Sequence, residues 1–159
     1  MNMPGDWATR AWLWDQQGWT NIKNKNSEDI GSYGENEWIC DRNTTTNDYW
    51  RSRNTIKKPE TVPLFFDCAY VDVFPAANVG PPTIEGDMTG YNEWILVCLN
   101  RHSGYVNYVF ADLSMRKVGL KELWSFAWSR RFNTANAWTI AGGVQYDDWP
   151  VWMRGFKDY

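Results

Sequence analysis

At 159 residues the chain is long enough for one domain with one core, and a domain of that size buries about 70% of the surface its unfolded chain exposes. The apolar fraction is an ordinary 43%, but 12 Trp, 8 Tyr and 7 Phe give an aromatic-heavy core in which few aliphatic side chains are needed. A net charge of −3, with Lys and Arg scattered apart from the pairs Lys57-Lys58 and Arg130-Arg131, excludes nucleic-acid binding through a basic stripe.

The first thirty residues carry Trp7, Trp12, Trp14 and Trp19 without a helical or a strand period, and read as an irregular Trp-rich wrap. A short helix over residues 6–15, capped by Asp6, is the one regular element that fits there. No apolar run reaches the ~20 residues of a membrane-spanning helix, and the pattern of a signal peptide is missing, so the chain should need no membrane contact. Residues 21–31 are polar and predict an exposed loop, residues 33–40 an extended segment, and residues 41–54 a second connection held by Tyr49 and Trp50.

Residues 61–71 are β-branched and aromatic, and predict a strand that Pro63 places near its start or at an edge. Residues 74–87, with three Pro and two Gly, predict a surface loop. Two further strands follow at 93–99 and 105–111, joined by a five-residue hairpin link at 100–104, and a fourth at 115–118. Leu120, Leu123, Trp124, Ala127 and Trp128 recur at helical spacing, so one packed helix should follow the last strand. Beyond Phe132 an irregular tail should lay Trp138, Trp149, Trp152 and Phe156 back over the core. The expected fold is therefore α+β over a single domain, 1–159: an antiparallel meander, one main helix, and irregular Trp-rich termini.

Residues able to carry chemistry are few. His102 is the only histidine, and a nucleophilic triad would need a hydroxyl or thiol delivered to its ring, which the adjacent Ser103 does not supply. Asp112 is the nominated carboxylate partner. At ~3.3 Å per residue, however, the strand between them holds the two well apart, so both read as turn-formers rather than as a catalytic dyad. Asp67, Asp72, Glu85, Asp87 and Glu93 lack the alternate spacing of a calcium loop, and Gly142-Gly143 lacks the context of a phosphate loop. Neither a metal nor a cofactor is expected. Cys40, Cys68 and Cys98 do not have zinc-loop spacing. A Cys68–Cys98 bridge in an oxidising compartment and two buried unpaired thiols both remain open. Trp12, Trp14, Trp19 and Trp50 form a candidate ligand surface, since exposed flat rings stack on sugars.

Residues 100–120 carry a recognisable pattern: His102, nine residues, Asp112, with an apolar strand between and a short strand after. It resembles the His-x9-Asp-Gly signature of bacterial pseudopilin-like proteins with a prepilin-type leader, with Leu113 in place of the usual Gly. The likeness continues through Arg116-Lys117-Val118-Gly119-Leu120-Lys121-Glu122-Leu123-Trp124 and Trp149-Pro150-Val151-Trp152-Met153, and is similar to a planctomycete-type branch from about Gly31 onward. The resemblance implies a non-enzymatic structural or adhesive head of a pilus or type II secretion-like pseudopilus. Its place would be the periplasm or cell surface, and its partners neighbouring pilin-like subunits or an extracellular ligand, with a homo-oligomer as a further expectation. The leader and long apolar helix that such proteins ordinarily begin with are not found in the first thirty residues. A stand-alone carbohydrate-binding module is the alternative, and a hydrolase built on His102 and carboxylates is a third.

Overall fold

The computed structural model describes residues 12–15, 18–21, 29–40, 45–87 and 92–159, with side chains from residue 32 onward. Two sheets stand in it. The first is three short antiparallel strands in the order β2-β1-β3: β1 (Trp12–Asp15), β2 (Gly18–Asn21) and β3 (Asp29–Gly31). The irregular reading of this segment is thus corrected. Residues 12–15 of the predicted helix are strand, and residues 6–11 lie outside the described residues. The loop expected at 21–31 ends in β3, with residues 22–28 also outside them.

The second sheet has five strands in the order β6-β4-β5-β7-β8: β4 (Tyr33–Asn36), β5 (Pro63–Asp67), β6 (Asp72–Val73), β7 (Tyr105–Phe110) and β8 (Met115–Gly119). The pairs β4–β5, β5–β7 and β7–β8 are antiparallel, while β6 runs parallel to β4. The architecture is therefore α+β with a mixed sheet, and the pure antiparallel meander is corrected. Pro63 does open β5, where the register shifts between Pro63 and Phe65 in a bulge.

Two predicted elements change type. The strand expected at 93–99 is a single helical turn, α1 (Trp94–Val97). An unbroken apolar run carries no period, and here Asn92 Oδ1 accepts the Trp94 amide at 2.9 Å and starts a turn. The helix expected after β8 is a 3₁₀ helix, Leu120–Ser125, followed by extended backbone at Phe126. An α-helix would hand the Leu123 carbonyl to the Ala127 amide. Instead the Trp128 indole donates to Leu123 O at 2.8 Å, Asn136 Nδ2 donates to Trp124 O at 2.8 Å, and the Ala127 amide donates to Thr61 O at 3.0 Å. The burial stripe nevertheless holds, since Leu120, Leu123, Trp124 and Trp128 are all fully buried.

The core lies under the inner sheet face. Phe66, Val106, Tyr108, Phe110 and Val118 point into it and meet Trp94, Trp124, Trp128, Trp149 and Met153. Trp94 and Trp124 stack at 4.2 Å, and Trp128 meets Trp94 edge-on at 5.6 Å. The tail folds back as expected, with Trp138, Trp152 and Phe156 packed on this cluster. Gly34 is required by a close approach, because a Cβ there would collide with the Tyr70 carbonyl and with Cys68. Among the described residues no helix is long and apolar enough to cross a membrane.

Cys68 and Cys98 are free thiols, so the structure takes the unbridged of the two alternatives. Cys68 accepts from the Tyr70 amide at 3.3 Å, and Cys98 faces the Met153 sulfur at 4.0 Å. Burial pushes the Cys68 thiol up to about 12 and raises Cys98 as well, which leaves both protonated and unreactive.

Candidate interaction surface on the outer sheet face

Alternation along the strands sends one set of residues into the core and the other outward. On β7 the inward set is Val106, Tyr108 and Phe110, and the outward set is Tyr105, Asn107 and Val109. Register then aligns the outward residues across the sheet. One row runs from Asp72 through Glu35, Phe65 and Val109 to Met115, and the next contains Tyr33, Asp67, Asn107 and Lys117.

Much of this face is apolar and open. Phe65 is 44% exposed, Tyr33 47% and Met115 78%. Tyr33 stacks on Phe65 with ring centroids 5.8 Å apart. Together with Asn107, Val109 and Lys117 they line a shallow depression of about 470 Å³. Single exposed apolar residues are ordinary, but a contiguous set on one sheet face is the pattern of a contact surface.

One end of the face is locked by an ionic knot. Asp67 is buried, and its carboxylate accepts from the Asn107 amide at 2.7 Å, from Arg101 Nη1 at 3.4 Å, and lies 3.3 Å from His102 Nε2. Arg101 is itself nearly buried and also donates to the Ser32 carbonyl at 2.5 Å and to the Cys68 carbonyl at 3.1 Å. His102 Nε2 is 2.9 Å from Asn107 Nδ2. The knot therefore ties the turn before β7 to the start of β4, the end of β5 and the body of β7. Desolvated charges of this kind hold only when every partner is in place.

His102 and Asp112 stand at the two ends of β7 and are not brought together. His102 sits in the turn at 101–104 on Asp67, the carboxylate the sequence reading counted only among scattered acids. Asp112 sits in the β7–β8 turn, where it accepts from the Ser114 amide at 2.9 Å and the Ser114 hydroxyl at 2.6 Å. These hydrogen bonds hold the Asp112 carboxyl below the usual carboxylate range.

Between them in that turn, Leu113 has φ 69° and is 65% exposed. This is the position at which the resembled signature carries Gly. A left-handed backbone costs a residue with a Cβ about 1–2 kcal/mol, and glycine avoids that cost. Leu113→Gly should therefore raise stability, by about 1 kcal/mol once the greater freedom of glycine in the unfolded chain is subtracted. Denaturant melts of the two proteins check this, and a destabilised variant would mean that the leucine side chain contributes contacts there.

Of the candidate sugar-stacking residues, Trp50 is corrected: it is buried at 9% exposure, with its indole donating to the Trp128 carbonyl at 3.2 Å. The side chains of Trp12, Trp14 and Trp19 lie outside the described residues, although the backbone register pairs Trp14 with Trp19. Two buried hubs escape sequence reading. Asn36 donates to the Pro63 and Trp128 carbonyls at 2.9 Å each, and Asn136 to those of Trp124 and Asn133 at 2.8 Å each. Among the described residues, no group of three or more His, Cys, Asp or Glu side chains is placed to hold a metal ion. Comparison of the chain with protein-family models, with curated proteins and with solved structures returns no match.

Proposed function

We propose that this chain is a non-enzymatic head domain of a pilin-like, type II secretion-like subunit, working at the cell surface or in the periplasm through contacts on its outer sheet face. The observation that carries this reading is the row of exposed Phe65, half-buried Val109 and exposed Met115 beside exposed Tyr33, spread over four hydrogen-bonded strands. A sheet of this kind is rigid and presents its side chains in fixed positions, which suits a surface that packs on neighbours. The two residues of the resembled signature support it as well. Each is engaged in holding a turn, His102 on Asp67 and Asn107 and Asp112 on Ser114, so both frame β7 instead of facing a substrate.

The test is made in the protein's own cells, with a photo-crosslinking residue placed at Met115, the most exposed position of the row. Pilin-like subunits, further copies of this chain among them, should be recovered as adducts, and the protein should sediment with filaments sheared from the envelope. Recovery in the cytosol without such adducts would overturn the reading.

A further inference from the structure

We infer that the partner of the outer sheet face is a second copy of the same chain, stacked sheet on sheet about a two-fold axis that runs along the strands. The inference rests on reading this face as the contact surface and adds its occupant. It is carried by the distribution of charge about the apolar centre. The row that crosses the sheet has Phe65 and Val109 on the two middle strands, β5 and β7. On one side it ends in carboxylates, Glu35 on β4 and Asp72 on β6; on the other it ends in Met115 on β8, with Lys117 of the same strand one row away. Glu35 is exposed, and its Oε1 takes only a weak contact from the Cys40 thiol at 3.8 Å. Lys117 is exposed too, lying over the Tyr105 ring at 4.8 Å.

Such a surface is complementary to itself in one orientation. A two-fold axis along the strands reverses strand order between the two copies, so that β4 of each lies over β8 of the other. Phe65 then meets the partner's Val109, and Glu35 comes over the strand that carries the partner's Lys117. An axis across the strands would instead lay β4 on β4 and β8 on β8, setting like charges together. Pairing through the edge of β8 is disfavoured for the same reason, since Arg116 and Lys117 of two copies would be brought side by side. Face-to-face sheets pack ~10 Å apart with strands inclined by about 30°, a separation that lets Tyr33, Phe65 and Met115 of both copies interdigitate. The interface is isologous and closes at two copies.

Sedimentation equilibrium of the purified full chain over a wide concentration range, in buffer of low ionic strength, tests this. A reversible monomer–dimer equilibrium is expected. Glu35→Lys and Lys117→Glu should each weaken it by about tenfold, and the double reversal should restore it to within about threefold of the parent. Phe65→Asp should abolish it, with the melting temperature of each variant checked so that misfolding is not taken for dissociation. A chain that stays monomeric throughout, or a dimer that ignores both reversals or is not rescued by combining them, would overturn the inference. A monomer that still crosslinks to leader-bearing subunits would remove the second copy and leave the head-domain reading standing; a charge-sensitive dimer never found with filaments would do the reverse.

Discussion

Trp124→Ala should lower stability by about 3–5 kcal/mol, the range of large-to-small substitutions in a closed core. Trp124 has no exposed surface. It stacks on Trp94 at 4.2 Å, meets Trp149 edge-on at 5.7 Å, and donates its indole N–H to the Val79 carbonyl at 2.9 Å. Truncation would therefore open a cavity beside two rings and leave the Val79 carbonyl without its donor. For a domain of this size the loss corresponds to a fall in melting temperature on the order of 10 °C. An unchanged melt would mean that the ring stack is not part of the cooperative core.

The second large effect is expected at Asp67. Asp67→Ala should cost about 3–5 kcal/mol, because it removes a buried carboxylate bound to a nearly buried guanidinium and leaves the Asn107 amide without this acceptor. Asp67→Asn should cost less, since the amide oxygen can still accept from Asn107 N–H. Asp112→Ala should have the smallest effect of the three, because that carboxylate is exposed and serves only its own turn. Chemical denaturation of the three variants gives the order directly. If Asp112 proved the costlier of the two alanine changes, the turn between β7 and β8 would be the true anchor of the sheet.

How much of this was legible in the sequence depends on what kind of interaction specifies each element. Strands β7 and β8 were readable because alternation, a short turn and β-branched residues all agree at 105–119. The stripe Leu120, Leu123, Trp124, Trp128 was readable as a buried face, but not as a 3₁₀ helix: spacings of three and one fit either helix over a few residues. What decides between them lies outside the segment: the donors that Trp128 and Asn136 bring to its carbonyls, and the Thr61 carbonyl that accepts the Ala127 amide. At α1 a local turn, with Asn92 Oδ1 accepting the Trp94 amide, outweighs an apolar run with high strand propensity.

The proposed contact surface was hidden for a related reason. Phe65, Val109 and Met115 lie far apart in sequence and become one row only through register, which a one-residue slip would undo. Asp67 was hidden too, since nothing local distinguishes it from the other acids; its burial comes from Arg101, 34 positions away. Trp50, readable either as a contact point of its loop or as part of a ligand surface, is buried, because its indole reaches the Trp128 carbonyl, 78 positions on.

The central claim is that the chain's only histidine is a structural partner of Asp67. A double-mutant cycle on His102→Ala and Asp67→Ala measures it most directly. The two residues should be coupled by about 0.5–1 kcal/mol, modest because the ring is 41% exposed, with the outer-face strands keeping their hydrogen-exchange protection in His102→Ala. Strictly additive losses would contradict the claim, and a turnover abolished by His102→Ala in a protein of unchanged stability would contradict it outright.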